Sequence, residues 1–294
     1  MSGVLSEFLQ FLFSGLTVGA IYGLIGLGFA VIYNASHVIN FAQGEFVMIG
    51  GMATVFLMAA GLPMPLAVVL AIAGAALVGW LLARIGIETA RGAGVVGLII
   101  ITIGASILLR GLAQVVWDRN FHPLPPISGD APIHVFGATL LPQSLWIGAA
   151  LIAIMAALRF FFDHTRTGKA MQAAAIDPLA AQLMGIDIRR LVRLSFVLSA
   201  ALGALAGVLV APITMTYANV GVMLGLKGFA AAIVGGLGNP LGAIAGGLVV
   251  GIAEAMTAGY LSSAWKDVVA FVIILFVLLF LPNGLFGRAE VHRA

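Results

Sequence analysis

The sequence predicts an all-α fold: a polytopic membrane helix bundle of about eight spans with one broken or re-entrant helix. Three observations carry that prediction. Of 294 residues, 62% are hydrophobic and 9% are charged, whereas soluble domains carry about a quarter of their residues as Asp, Glu, Lys or Arg. The mean hydropathy is +1.16. Stretches free of those four residues recur at 8–44, 46–83, 92–109, 131–158, 194–226, 228–253 and 268–287. Crossing a ~30 Å hydrocarbon core takes about 20 apolar residues, so each stretch can hold at least one span.

The composition also excludes whole classes. So few charges could not cover the surface of a soluble fold, which rules out a cytosolic enzyme, a disordered chain and a nucleic-acid-binding protein. The pI of 9.6 rests on a net charge of only +3, too dilute to track a phosphate backbone. Thirty-eight glycines show no three-residue period and so no collagen. With no cysteine, there is no disulfide framework and no thiolate metal site. The opening MSGVLSEFLQF has no basic n-region and carries Glu7, so the first apolar stretch is expected as a retained helix.

Taken in order, the spans are expected at 9–32, 42–60, 66–86, 94–116, 143–162, 192–213, 227–259 and 266–282. The turn chemistry of Gly61-Leu62-Pro63-Met64-Pro65 divides the second from the third. The seventh is too long for one plain helix and contains Gly238-Asn239-Pro240. Proline removes a backbone donor, so two helical pieces with a break are expected there. Basic residues gather in 159–193 (Arg159, Arg166, Lys169, Arg189, Arg190, Arg193) and in 84–91 (Arg84 and Arg91 around Glu88). Both loops are therefore cytoplasmic by the positive-inside rule. The Pro-rich 118–142 segment then faces outward, as does the N-terminus. Arg288 and Arg293 favour a cytoplasmic C-terminus, which eight alternating spans do not give. Residues 1–294 read as a single transmembrane domain, with a cytoplasmic coupling loop over 163–191 inside the larger of the two basic loops.

Small residues mark helix contacts. Gly15, Gly19 and Gly23 form one row; Gly238, Gly242 and Gly246 form another, with Gly247 and Gly251 beside it. Such spacing lets backbones approach closely in lipid. The most polar stretch inside an apolar region is 39–45. Asn40 and Gln43 read there as a capping box for a helix start, with Glu45 in the first turns where the dipole favours an anion. The functional alternative is that Asn40, Gln43 and Glu45 line a solute path, because ionisable groups within a span usually face a cavity or a partner. Glu254 is a further candidate for that path, whereas Arg110, near a span end, is expected to snorkel. Gln43-Gly44 ahead of a Gly-Gly pair is echoed by Lys227-Gly228, as in transporters built from internal repeats.

The cytoplasmic loop contains a complete short helix. Asp177 is its N-cap, Pro178 its first residue and Gly185 its stop. So short a helix is unstable alone in water. Its apolar residues Leu179, Leu183 and Met184 are expected to fit a groove on a soluble partner. Gly168-Lys169 does not complete a phosphate-binding loop, because Asp163 stands where the first glycine would be and Ala170 follows the lysine. Any ATP hydrolysis therefore belongs to another chain. His37, His122, His134, His164 and His292 are scattered without metal-ligand spacing, and no catalytic set emerges.

The segment INFAQGEFVMIGG at 39–51 resembles the signature of permease subunits of branched-chain amino-acid ABC importers, the LIV-type or hydrophobic amino-acid uptake family. The likeness extends to GLTVGAIYGLIGLGFAVIY at 15–33, GFAAAIVGGLGNPLGAIAGGLVVGIAEA at 228–255 and KDVVAFVIILFVLLFLPNGLFGR at 266–288. It is nearest to the H-type chain of the family's two permeases. The resemblance implies a second homologous permease as heterodimer partner, two cytoplasmic ATPases and a periplasmic binding protein, in a bacterial inner membrane. It implies no cofactor on this chain, with ATP and Mg on the ATPases, and alternating access as mechanism. The family's coupling loop, Glu-Ala-Ala-x3-Gly, aligns with Leu179-Ala180-Ala181-x3-Gly185, Leu replacing Glu. The expected solutes are leucine, isoleucine and valine, with urea or short amides as the alternative inside the family and a secondary carrier or channel outside it.

Overall fold

The computed structural model describes residues 2–90 and 92–287. Arg91, Arg288 and Arg293, which entered the charge reading, lie outside them. The helices are α1 (Ser2–Ser36), α2 (Gln43–Ala59), α3 (Met64–Leu81, continued by a π turn over Leu82–Ile87), α4 (Gly94–Val116), α5 (Pro142–His164), α6 (Arg166–Ile176), α7 (Pro178–Leu183), α8 (Ile188–Thr214), α9 (Val220–Gly235), α10 (Pro240–Tyr260) and α11 (Lys266–Phe280). Prolines mark several starts, in the first turns of α3, α5, α7 and α10, where a missing N–H costs nothing. A hairpin of β1 (Ile133–Val135) and β2 (Ala138–Leu140) interrupts the loop before α5. Phe136 and Gly137 turn it at φ of 49° and 82°, the two positive angles a tight two-residue hairpin requires.

Among the described residues, seven helical stretches are long and apolar enough to cross a membrane. α2 and α9 are shorter, at 17 and 16 residues, or about 25 and 24 Å at 1.5 Å per residue. The expected seventh span is thus two helices, α9 and α10, and α9 starts at Val220 rather than 227. The break is a turn over 236–239 with Gly236 and Gly238 at positive φ. Beyond it, Asn239 Oδ1 caps α10 by accepting from the Gly242 N–H at 3.1 Å. The eight expected spans become nine apolar elements among the described residues, an odd number, which puts the start of α1 and the end of α11 on opposite faces.

The contacts agree with that count. On one face, Arg193 pairs with Glu88 at 2.9 Å, joining the two basic loops. The Leu285 and Phe286 N–H groups donate to the carbonyls of Val234 and Gly235. Phe286 and Gly287 share a cavity with Met171 and Gln172 of α6, so the chain leaves α11 on the basic face. On the other face, Gln10 and Thr139 exchange hydrogen bonds, and His122 and Thr216 pair their backbones. The start of α1, the 118–142 loop and the α8–α9 connection lie together there.

The core runs along α1 and α8, whose apolar windows are 89% and 72% buried against 11% for α4, α5 and α11. Glycines set the central contacts. A β-carbon on Gly15 would lie 2.7 Å from Ile252 Cα, and one on Gly19 would lie 2.8 Å from the Gly247 carbonyl; Gly23 abuts Ile244. The second glycine row divides. Gly242 and Gly246 pack on α9, Gly247 and Gly251 pack on α1, and Gly238 serves the turn rather than a helix face.

These contacts occur in pairs related by an internal repeat, α1-α2-α3 against α8-α9-α10. Gly26 meets Gly228 as Gly207 meets Val47, and Gly15 meets Ala255 as Phe196 meets Gly79. α1 leaves the outer-loop face and α8 leaves the basic face, so the repeats are inverted, as in many transporters. The matched pair on the symmetry axis is Gly44 and Gly225, which touch each other. The register expected from sequence, Gln43-Gly44 onto Lys227-Gly228, is displaced by three residues.

Candidate functional site

α1 stops where His37 takes a φ of 52°. The chain then turns at Asn40, whose Oδ1 accepts from the Ala42 N–H at 3.1 Å. α2 starts at Gln43 with Ala42 as an N-cap that makes no side-chain bond, so the capping box expected of Asn40 and Gln43 does not form. Gln43 instead turns into the core. Its Nε2 donates to the Ser199 carbonyl at 3.1 Å, while the Ser199 hydroxyl lies 2.5 Å from Gln43 Oε1 and 2.8 Å from the Gly28 carbonyl. This knot ties α1, α2 and α8 beside a helix start that glycines let the neighbouring backbones approach.

Glu45 follows in the first turn of α2, one residue after the axial Gly44, and is 1% exposed. Ser106 Oγ donates to its Oε1 at 2.7 Å. Arg110 reaches the same oxygen with Nε at 3.3 Å and Nη2 at 3.2 Å, and Nη2 also donates to Ser106 at 3.1 Å. Arg110 therefore turns inward and does not snorkel. Its charge is neutralised inside the bundle, which costs less than leaving either ion alone in a medium of low dielectric. Among the described residues, Glu45 Oε2 and Asn40 Nδ2 are buried without a hydrogen-bond partner. Glu45, Ser106 and Arg110 line a cavity of about 160 Å³ whose remaining wall is mostly apolar and includes Phe29, Phe41, Ile107 and Phe229. The N-terminal ends of α2 and α9, both positive dipole ends, converge beside it.

Glu254 is not part of this cavity. It joins a second buried cluster, where Lys227 Nζ lies 2.6 Å from Glu254 Oε1 and 2.6 Å from Asp267 Oδ1. Tyr22 OH donates to Glu254 Oε2 at 2.8 Å, and the ammonium sits 5.5 Å from the Tyr22 ring centroid. Every strong acceptor of Glu254 is thus engaged, and the cluster clamps α1, α9, α10 and α11. Lys227, Tyr22, Ser106 and Arg110 were not singled out as site residues from sequence. The signal was opposite charges inside apolar stretches, Glu45 with Arg110 and Lys227 with Glu254, which must find one another in lipid.

On the basic face, α7 stands out from the membrane helices. Asp177 Oδ1 accepts from the N–H groups of Leu179 and Ala180 at 2.9 and 3.0 Å, Pro178 opens the helix, and Gly185 ends it with φ of 85°. Ala181 is buried on the chain, but Leu179, Leu183 and Met184 are 68%, 81% and 84% exposed. Ile176, just before the cap, is 84% exposed as well. An apolar patch of this kind on a charged face marks an interaction surface. Among the described residues, no group of three His, Asp or Glu could hold a metal ion.

Comparison with known proteins agrees with this architecture. The branched-chain amino acid transport system permease-component model matches residues 11–278. The high-affinity branched-chain amino acid transport system permease protein LivH of Salmonella typhimurium is 35% identical, covering all of both chains. The corresponding BraD protein of Pseudomonas aeruginosa is 34% identical over 98% of each. A solved chain of PsaBC from Streptococcus pneumoniae in complex with Fab shares the fold at a TM-score of 0.51 and 16% identity, over 94% of this chain and 92% of that one. The family model spans most of the chain and the relatives match it over nearly its whole length, and the chain belongs to the branched-chain amino acid transport permease family.

Proposed function

We propose that this chain is the H-type permease subunit of a bacterial inner-membrane ABC importer for leucine, isoleucine and valine. It pairs with a second homologous permease, two cytoplasmic ATPases and a periplasmic binding protein, and it binds no nucleotide itself. The observation that carries this reading is α7: a capped helix of six residues whose apolar side chains stand in solvent on the basic face. A carrier driven by an ion gradient has no use for such an element, whereas an importer driven from outside the membrane needs a lever. In this reading the basic face is cytoplasmic, ATP closes the ATPase dimer, and α7 passes the motion to α8 and to the inverted repeats. The binding protein docks on the opposite face, over the 118–142 loop and its hairpin. The solute moves past Glu45, with Asn40 and Gln43 behind it, and Glu254 stays in the clamp of α11.

The test is to purify the tagged chain from its native membrane in mild detergent, identify what accompanies it, and reconstitute the complex with its binding protein. The expected result is a second permease with two Walker-motif ATPases and ATP-dependent leucine uptake. A folded chain found alone, or uptake that ignores ATP, overturns the proposal.

A further inference from the structure

The cavity beside Glu45 has a polarity that the function above does not specify. One carboxylate oxygen is held by Ser106 and Arg110, while Oε2, buried, accepts from nothing among the described residues. Leaving a buried charged acceptor unpaired is costly, more than the about 1–3 kcal/mol of a neutral group, so a native site retains one where a donor arrives. Arg110 commits Nε and Nη2 to its neighbours, leaving Nη1 without a side-chain or backbone acceptor among the described residues; its side chain is 28% exposed. A donor-seeking carboxylate and an acceptor-seeking guanidinium edge therefore lie side by side on one wall. The other walls are aromatic and aliphatic.

Resting on the transport reading, we infer that this cavity is a zwitterion cradle: Glu45 Oε2 receives the α-ammonium of the solute and Arg110 Nη1 its α-carboxylate. Phe29, Phe41, Ile107 and Phe229 then enclose the aliphatic side chain. The size agrees. A cavity of about 150 Å³ takes one benzene molecule, so the about 160 Å³ here fits a branched four-carbon side chain and its α-carbon, with the charged groups at the wall. Drug-sized ligands need about 300 Å³ or more. The site thus selects amino acids over amides or sugars inside the permease, downstream of the binding protein.

The experiment uses the whole complex in proteoliposomes with binding protein and ATP, measuring labelled leucine uptake and ATP hydrolysis together. Glu45→Gln is expected to lower uptake at least tenfold while assembly and stimulated ATP hydrolysis persist. The exchange Glu45→Arg with Arg110→Glu rebuilds an ion pair but reverses the polarity offered to the solute; uptake should stay lost. Ile107→Trp, on an exposed helix face, fills the cavity without touching either charge and should also block uptake. Glu45→Gln uptake within twofold of wild type, recovery in the exchanged pair, or free passage in Ile107→Trp each overturns the cradle. If wild-type complex itself fails to import leucine with ATP, the transport reading fails instead, so the two failures are separable.

Discussion

Replacing Lys227 with methionine should destabilise the bundle by about 3–5 kcal/mol, the usual cost of removing one partner from a buried ion pair. The structure sets the size. Lys227 is 6% exposed and Glu254 is 7% exposed, so removing the ammonium leaves the Glu254 carboxylate with Tyr22 as its remaining donor. Asp267 is the smaller loss: its side chain is 44% exposed and can turn to water, so its share is at most about 1 kcal/mol. Lys227→Met combined with Glu254→Gln should recover most of the loss, because a buried pair replaced as a unit is often neutral. The assay is thermal unfolding of the detergent-purified complex, followed by tryptophan fluorescence, for wild type, both single variants and the double variant. Leucine uptake by the double variant should remain near wild type, since the cluster lies apart from the Glu45 cavity. Single variants within about 0.5 kcal/mol of wild type, the ordinary range for surface changes, would refute the reasoning, and so would a double variant whose loss equals the sum of the singles.

Three further outcomes are expected. Ala181→Pro removes the 3.0 Å bond from the Ala181 N–H to the Asp177 carbonyl and should abolish ATPase co-purification while membrane insertion persists; unchanged co-purification would take α7 out of the mechanism. Ser199→Ala leaves the Gln43 amide short of one partner and should cost about 1–3 kcal/mol, seen as a lower unfolding midpoint. Gly19→Ala sets a β-carbon 2.8 Å from backbone atoms of Gly247 and Leu248, which cannot rotate away, and should cost about 1–3 kcal/mol. Gly148→Ala, with nothing within 4 Å, should instead gain up to about 1 kcal/mol from helix propensity, and equal behaviour of the two glycine variants would contradict the packing argument.

Most of the fold was legible because lipid imposes a simple rule, about 20 apolar residues per crossing. It failed where a charge lies inside a helix. Lys227 was read as the edge of a span, yet α9 passes through it from Val220 to Gly235, because Glu254 and Asp267 neutralise it in place. The break between α9 and α10 was expected, but starting the segment at 227 counted its two pieces as one span, and with that the parity that places the end of α11 on the basic face was lost. The hairpin at 133–140 was missed for another reason: Phe136 at φ 49° carries no turn signature, since aromatic residues rarely adopt that angle.

The site was legible in part, and the division has one physical cause. The α7 cap depends on neighbours close in sequence and Glu45 stands in the first turn of α2, so spacing and dipole arguments reach both positions, though not the partners of Glu45. Arg110 depends on a residue 65 positions away, and nothing local distinguishes an arginine that snorkels from one that turns inward. The inverted repeat is what brings them together. It places Gly44 against Gly225 at the axis and converges two short helices there, so that α4 can lay Ser106 and Arg110 across the first turn of α2. The same symmetry sets a demand on mechanism. A site at the axis of two inverted halves is equally near both faces, so a small rocking of one half against the other changes which face it opens to. In the proposed importer the direction comes from outside the symmetry, and α7, which with α6 belongs to neither half and lies on the basic face, is where that drive would enter.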